Sequence, residues 1–467
     1  MAEKKKQHHF LLVASPLQSH INQCFNLAKH LTSSAGAAVT FSITVYGHRR
    51  MFPSISEPQQ EVNDGLITFK PFSDGFDAHG YQPESMDLKE YLAAFRTNGQ
   101  RTLSTLVKDL ASVGRPVTCI IRAPFLEWVV DVAGEHGVPS VLYWIQAATV
   151  FSTHYHFFHG FESVIRAHSG EPSFTIQLPG LQPLQIKDLP SFLTETADNS
   201  QNAFFIDSLR ELFQVLKRDV AVLMNSFTAL ETEALASVPQ WLKVFVVGSC
   251  TLASPGNMFK EDENEYMEWL DTKEEGSVVY ISFGSLSVMK KKQIKEMAKG
   301  LKDSTRPYLW VVRKDNREKE LLEIEGEEGD DQDGNGMMVE WCSQVKVLAH
   351  KAVGCFVTHC GWNSTLESLA CGKPMVCVPQ WTDQRMNAKL VESLWGCGVR
   401  SEVDGDGVVK GEELVRCLEL VMGDGEKGVE IRRKAKIWKD KVFEAVNEGG
   451  SSEVNLRAFV EMFTEQW

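Results

Sequence analysis

The sequence predicts an α/β protein of two Rossmann-like domains, each built on a parallel sheet. Three observations carry this. Short apolar runs alternate with amphipathic stretches through both halves of the chain, the pattern of strands buried on both faces by helices. At 467 residues the chain is long for one hydrophobic core. Small residues and breakers gather at 247–256, "VGSCTLASPG", between the two sets of strands.

The first half offers "HHFLLVA" (8–14), "VTFSIT" (39–44), "LITFKPF" (66–72), "VTCII" (117–121), "SVLYWI" (140–145) and "VAVLMNS" (220–226) as strands. The second offers "SVVYISFGS" (277–285), "YLWVVR" (308–313), "GMMVEW" (336–341), "GCFVTH" (354–359) and "PMVCVP" (374–379). All are rich in β-branched or aromatic residues and too short for buried helices. Helical spacing marks "KKQIKEMAKGL" (291–301) and "TLESLACG" (365–372) between them. The acidic, polar run 314–336 reads as a solvated loop. The expected division is 1–247, 248–451, and a last helix, 452–467, packing back toward the first domain.

Composition narrows the function. A formal net charge of −14 argues against nucleic acid or an anionic membrane as partner. No run approaches a membrane span, and the apolar start "FLLVA" is shorter than a signal-peptide core. Ten cysteines lack C-x-x-C spacing, so buried thiols in the cytoplasm are expected. The usual nucleotide fingerprints, G-x-x-x-x-G-K-[ST] and G-x-G-x-x-G, are absent, as is G-x-S-x-G. His359 and Cys360 are adjacent but lack structural zinc spacing, and "DGD" at 404–406 reads as a surface turn. No metal site is expected.

The densest cluster of chemistry is "GCFVTHCGWNSTLESLACGKP" at 354–374. A strand runs into His359, then a small-residue turn, then a helix opening near Asn363–Thr365. Such a helix start suits phosphate, and it equally suits a plain cap by Asn363 or Ser364 with Glu367 complementing the dipole. "SFGSLS" at 282–287 is a second turn of this kind, where Gly284 and Ser285 could hold an anion. "WTDQ" at 381–384 puts Asp383 and Gln384 after a strand, a pair suited to sugar hydroxyls or to an exposed loop. At 15–23, "SPLQSHINQ", His20 lies where a strand gives way to a helix. Its neighbourhood leaves packing, phosphate binding and proton abstraction open.

The stretch 341–384, from Trp341 through "HCGWNS" and Glu367 to the closing "DQ", resembles the full plant secondary product glycosyltransferase box. "PLQSHIN", the residues 225–231 and "SVVYISFGS" extend the resemblance over the whole chain. The sequence is therefore similar to the plant family 1 UDP-glycosyltransferases. That resemblance implies the GT-B fold, with two parallel sheets facing across a cleft, and a monomer that uses UDP-glucose as co-substrate without a metal. It implies that Trp341 stacks on uracil while the Cys342 backbone reads its edge. Gln344 and Glu367 would hold the ribose. His359, Asn363, Ser364 and Ser285 would hold the diphosphate. Trp362, Asp383 and Gln384 would contact the sugar.

The same resemblance makes His20 the general base, a task that suits imidazole. One departure stands out. Many relatives carry an Asp after the strand matching "VTCII", and alignment through Trp128 and Asp131 puts Ala123 there. Losing that carboxylate weakens His20 as a base, so either another group replaces it or the acceptor needs little deprotonation. An acceptor that arrives ionised, such as a carboxylic acid of pKa roughly 4, would suffer less than a phenol near 10. "APFLEWVVDVA" and "PLQSHINQ" resemble a branch holding both glucose-ester formers and flavonoid glycosylators. The acceptor is expected near Phe125, Ile145, Gln146 and the loops around Phe76 and Phe192. Two alternatives remain: a sugar-nucleotide epimerase of the same architecture, testable with UDP-GlcNAc, and a donor-binding protein with little turnover.

Overall fold

The computed structural model describes residues 8–82, 84–195, 200–248, 265–284, 289–313 and 335–466. The expected linker beyond Gly248, Ser285 and most of the acidic run therefore lie outside the described residues.

Residues 9–246 carry one eight-stranded sheet. Its order across the sheet is Val244–Val246, Ala221–Met224, Ser140–Trp144, Cys119–Arg122, His9–Val13, Ala38–Ser42, Thr68–Phe69 and Val62–Asn63. All neighbours are parallel except the final hairpin pair. The central strands are fully buried and mostly apolar, as two-sided coverage by helices requires. Strand order reverses between His9–Val13 and Cys119–Arg122. Open α/β sheets bind ligands at the carboxyl ends of their strands at such a switch point.

The second sheet is entirely parallel: Gly336–Val339, Tyr308–Val311, Val278–Ser282, Val353–Thr358, Met375–Cys377 and Gly398–Arg400. Its order reverses between Val278–Ser282 and Val353–Thr358. That switch point lies below Gly284 on one strand and His359 on the other.

Two expectations need correction. The run 66–72 contributes only Thr68–Phe69 as strand, although the N–H groups of Lys70 and Phe72 still donate to the Phe41 and Ile43 carbonyls on either side of Pro71. Pairing resumes as an isolated bridge between Thr44 and Phe72. The short strands Val244–Val246 and Gly398–Arg400 escaped the pattern; three residues are too few to show a period.

The last helix, Ser451–Gln466, lies against the first sheet. Phe459 and Phe463 each stand 5.6 Å from Phe10, and Asn455 Nδ2 donates to the Val246 carbonyl at 2.9 Å.

A charged pair sits in the core of the first sheet. Arg122 and Asp219 are both fully buried, with Nη2 to Oδ2 at 2.5 Å, and Ser140 Oγ donates to the same carboxylate at 2.8 Å. Removing one partner strands a desolvated charge. Asp219→Ala is expected to lower the unfolding free energy by about 3–5 kcal/mol, read from urea titration. A loss below about 1 kcal/mol would show that water reaches the guanidinium, as it does at surface pairs.

Candidate functional site

The first switch point presents His20. The chain leaves strand His9–Val13 through Ala14–Leu17 and enters helix Gln18–Ser33, placing His20 in the first turn. Its imidazole is 8% exposed and stacks on Phe125, centroids 5.9 Å apart and planes at 25°. Nδ1 lies 3.2 Å from Ser15 Oγ, and Ser15 Oγ donates to the Pro124 carbonyl at 2.7 Å. Burial pushes the His20 pKa down to about 4, so the ring is neutral at pH 7. Ala123 is fully buried and its N–H donates to the Val13 carbonyl.

The second switch point presents His359. Strand Val353–Thr358 ends there, and helix Trp362–Cys371 begins after Gly361. The alternative of a plain cap by Asn363 or Ser364 does not hold: Gly361 is the N-cap and no side chain closes the helix end. The N–H groups of Trp362, Asn363 and Ser364 thus have no intrahelical partner, which makes an anion site. His359 is wedged between two glycines. A Cβ on Gly284 would stand 2.7 Å from Nε2 and one on Gly361 2.5 Å from it. Desolvation lowers its pKa to about 4, so at pH 7 it is a neutral ring with one N–H to donate. The Asn363 side-chain oxygen is enclosed without a hydrogen bond among the described residues.

Beside this helix a polar network forms. Gln344 Nε2 donates to Glu367 Oε2 at 2.6 Å and to Ser364 Oγ at 2.9 Å, while Tyr280 Oη donates to Gln344 Oε1 at 3.3 Å. Both amide N–H groups of Gln344 are therefore used within the protein. It holds Glu367 and Ser364 in place, and what it keeps for a ribose hydroxyl is the second lone pair of its carbonyl oxygen. The Ser364 hydroxyl accepts from Gln344, leaving its own proton for a ligand oxygen. Trp341 is half-buried, and buried Cys342 puts Sγ 3.4 Å from Tyr280 Oη.

Three further expectations change. The Trp362 indole N–H does not face a sugar: it donates to the Asn225 carbonyl at 2.7 Å, and the ring packs 6.1 Å from Trp395. Only its backbone N–H, at the helix start, remains for a ligand. The Gln384 side-chain carbonyl accepts from the backbone N–H groups of Gln380 and Trp381, leaving its amide hydrogens. Phe76 belongs to another ring cluster, 4.9 Å from Tyr91.

The two switch points face each other. Gln146, on the first sheet's side, lies near the Asp383 carboxylate on the second and favours its charged form. Asp383 is buried, which raises its pKa, and accepts from Thr382 Oγ1 and Asn387 Nδ2. Thr382 and Ser191 exchange two hydrogen bonds, at 2.9 and 2.8 Å. Arg400 Nη1 reaches buried Asp188 at 2.6 Å. Gln23, one turn beyond His20, accepts from Asn225 Nδ2 at 2.9 Å, and Asn225 in turn receives the Trp362 indole. A relay of three residues thus sets the His20 helix against the His359 helix.

Aromatic rings line the space between. From His20 the path runs to Phe125, then Phe205 at 5.7 Å, Phe192 at 4.8 Å and Trp381 at 6.0 Å. Backbone strain collects in the same place. Phe125, Cys360 and Thr382 have φ of 66°, 63° and 56°, left-handed values that bulky residues avoid. Among the residues that sequence reasoning missed, Ser15, Asn225 and Phe205 gave no local signal, and Trp381 was quoted without a role.

No group of three His, Cys, Asp or Glu side chains is placed to hold a metal among the described residues, and none of their helices is long and apolar enough to cross a membrane.

Comparison with known proteins agrees with this geometry. The family described as UDP-glucoronosyl and UDP-glucosyl transferase matches residues 177–448. The chain is 42% identical to the chloroplastic crocetin glucosyltransferase of Gardenia jasminoides, covering 98% of this chain and 97% of that protein. It is 43% identical to phloretin 4'-O-glucosyltransferase of Malus domestica, covering 97% and 98%. The crystal structure of Os79 from O. sativa in complex with UDP superposes with a TM-score of 0.82 at 31% identity, covering 97% of this chain and all of that one.

Proposed function

Since the chain belongs to the UDP-glucuronosyl and UDP-glucosyl transferase family and has its GT-B fold, we propose that it transfers glucose from UDP-glucose, with inversion, to a small hydrophobic plant metabolite. The observation that carries this is the opposition of the two switch points. A neutral imidazole stands at one, and an uncapped helix start with a second imidazole at the other.

The uncapped N–H groups and His359 receive the diphosphate, with the Ser364 hydroxyl donating beside them. Glu367, held by Gln344, accepts from the ribose, and Trp341 offers its ring to uracil. Asp383 and the Gln384 amide meet the sugar hydroxyls. The acceptor oxygen attacks the anomeric carbon from the face opposite UDP. As the new C–O bond forms, the bond to the phosphate oxygen breaks and UDP leaves with the electron pair. Helix N–H groups and His359 stabilise the charge that develops there. A hydroxyl acceptor gives its proton to His20, whereas a carboxylate brings none to give.

The ring path from Phe125 to Trp381 supports a flat, apolar acceptor that stacks. The relatives are named for glucosylation of crocetin and of phloretin at its 4'-oxygen, both small molecules. Nine free, buried cysteines among the described residues fit a reducing compartment, and we place the enzyme in the cytoplasm as a monomer.

The test is donor competition in EDTA on one acceptor, with products identified by mass. UDP-glucose is expected to exceed UDP-galactose and UDP-glucuronate in kcat/KM by at least about tenfold, since a misplaced hydroxyl leaves buried polar groups unpaired. Preference for either rival, or activity that returns only with added magnesium, would overturn the donor assignment or its metal independence. Turnover of UDP-GlcNAc alone would favour the epimerase.

A further inference from the structure

The Nδ1 side of His20 holds an unusual arrangement. A base that works through Nε2 must carry its own proton on Nδ1 and must be kept from rotating. Ala123, beside it in the chain segment that flanks the site, is an apolar methyl with its backbone N–H already committed to Val13. The atom within hydrogen-bond distance of Nδ1 is instead Ser15 Oγ, 3.2 Å away. Ser15 is 3% exposed, so water does not compete freely for its hydroxyl.

The direction of this bond follows from proton counting. A hydroxyl has one hydrogen. The Pro124 carbonyl, 2.7 Å from Ser15 Oγ, can only accept, so the Ser15 hydrogen is committed to it. Ser15 Oγ must therefore accept from His20, and the imidazole proton must sit on Nδ1. Nε2 is left with its lone pair exposed toward the acceptor. The Phe125 ring stacked on the imidazole, held by a left-handed backbone next to Pro124, limits rotation about the other axis.

We propose that Ser15 is the positioning residue for His20, fixing the Nδ1–H tautomer through a relay to the Pro124 carbonyl in the role a carboxylate could fill. The proposal rests on the reading of His20 as base. It carries a consequence for substrate class. A neutral hydroxyl orients the ring but adds no negative charge to stabilise an imidazolium. The relay therefore gives a hydroxyl acceptor only part of the help a carboxylate partner would, and the site as a whole favours acceptors that are already ionised or nearly so, carboxylic acids and acidic phenols.

Two measurements test this on the full-length protein. In the first, histidine is labelled with 15N and the His20 imidazole signals are assigned by difference from His20→Ala. The wild type is expected to show the Nδ1–H tautomer, and Ser15→Ala a mixture of the two. In the second, kcat/KM is compared for a phenol of pKa about 10 and a carboxylic acid of pKa about 4. Ser15→Ala is expected to cost the phenol about tenfold, a part of what a general base contributes, through kcat rather than KM. The carboxylic acid loses less than about twofold, since no proton moves. Ser15→Thr, which keeps the hydroxyl, restores both the tautomer and the phenol rate.

An Nε2–H tautomer in the wild type overturns the proposal, even if Ser15→Ala fails to fold. So does an unchanged tautomer in Ser15→Ala. Equal losses for both acceptors reduce Ser15 to a packing residue. If no acceptor turns over, the base reading fails, and the tautomer measurement still judges the Ser15 contact by itself.

Discussion

Replacing His20 by alanine is expected to lower kcat/KM for a phenolic acceptor by about 10²–10⁴-fold, the usual contribution of a general base. A matched carboxylic acid acceptor is expected to lose less than about tenfold. The difference comes from proton inventory. The phenol must shed its proton as the new bond forms, and His20 is the buried, neutral imidazole placed to receive it. The carboxylate needs only alignment with the anomeric carbon. With its pKa held at about 4 by burial, His20 is in its base form through the neutral range. Activity on a phenolic acceptor should then stay flat from about pH 8 down to about pH 5, and protonation of His20 enters only below that. Equal losses for both acceptors would make His20 a residue that shapes the pocket.

His359→Ala is expected to cost about 2.7–4 kcal/mol of transition-state stabilisation, the effect of deleting one donor to a developing oxyanion. The ring packs against Gly284 and Gly361, which carry no side chain to take its place. The helix N–H groups remain and keep part of the stabilisation. The loss should therefore appear in kcat at saturating UDP-glucose, with the melting temperature little changed. Near-normal kcat would show that the helix end does this work alone and that His359 only fills the turn.

How much of this was legible in the sequence depends on distance along the chain. The turn from Val353–Thr358 into Trp362–Cys371 was readable because strand, glycine turn and helix follow one another within twenty residues. The parallel sheets were readable from their buried apolar strands. The use of the Trp362 indole was not: its partner Asn225 lies 137 positions away, and nothing near either residue signals the other. Ser15 is only five residues from His20, yet its meaning depends on the Pro124 carbonyl, 109 positions on. Gln344 was placed in the right neighbourhood, but that its amide hydrogens go to Glu367 and Ser364 is visible only in the geometry. Phe205 lies in a helix, Ser200–Val215, that the reading did not single out.

The contacts that cross the cleft also bear on recombination. Enzymes of two halves invite the exchange of one half for another's, with the aim of pairing a new acceptor with an old donor. Here the seam is stitched by particular side chains: Asn225 with Trp362, Asp188 with Arg400, Ser191 with Thr382 and Gln146 with Asp383. A graft that replaced the first half without residues 146, 188, 191 and 225 would leave an indole N–H, a guanidinium and a buried carboxylate facing strangers. The halves can be inherited separately only if the stitches travel with them.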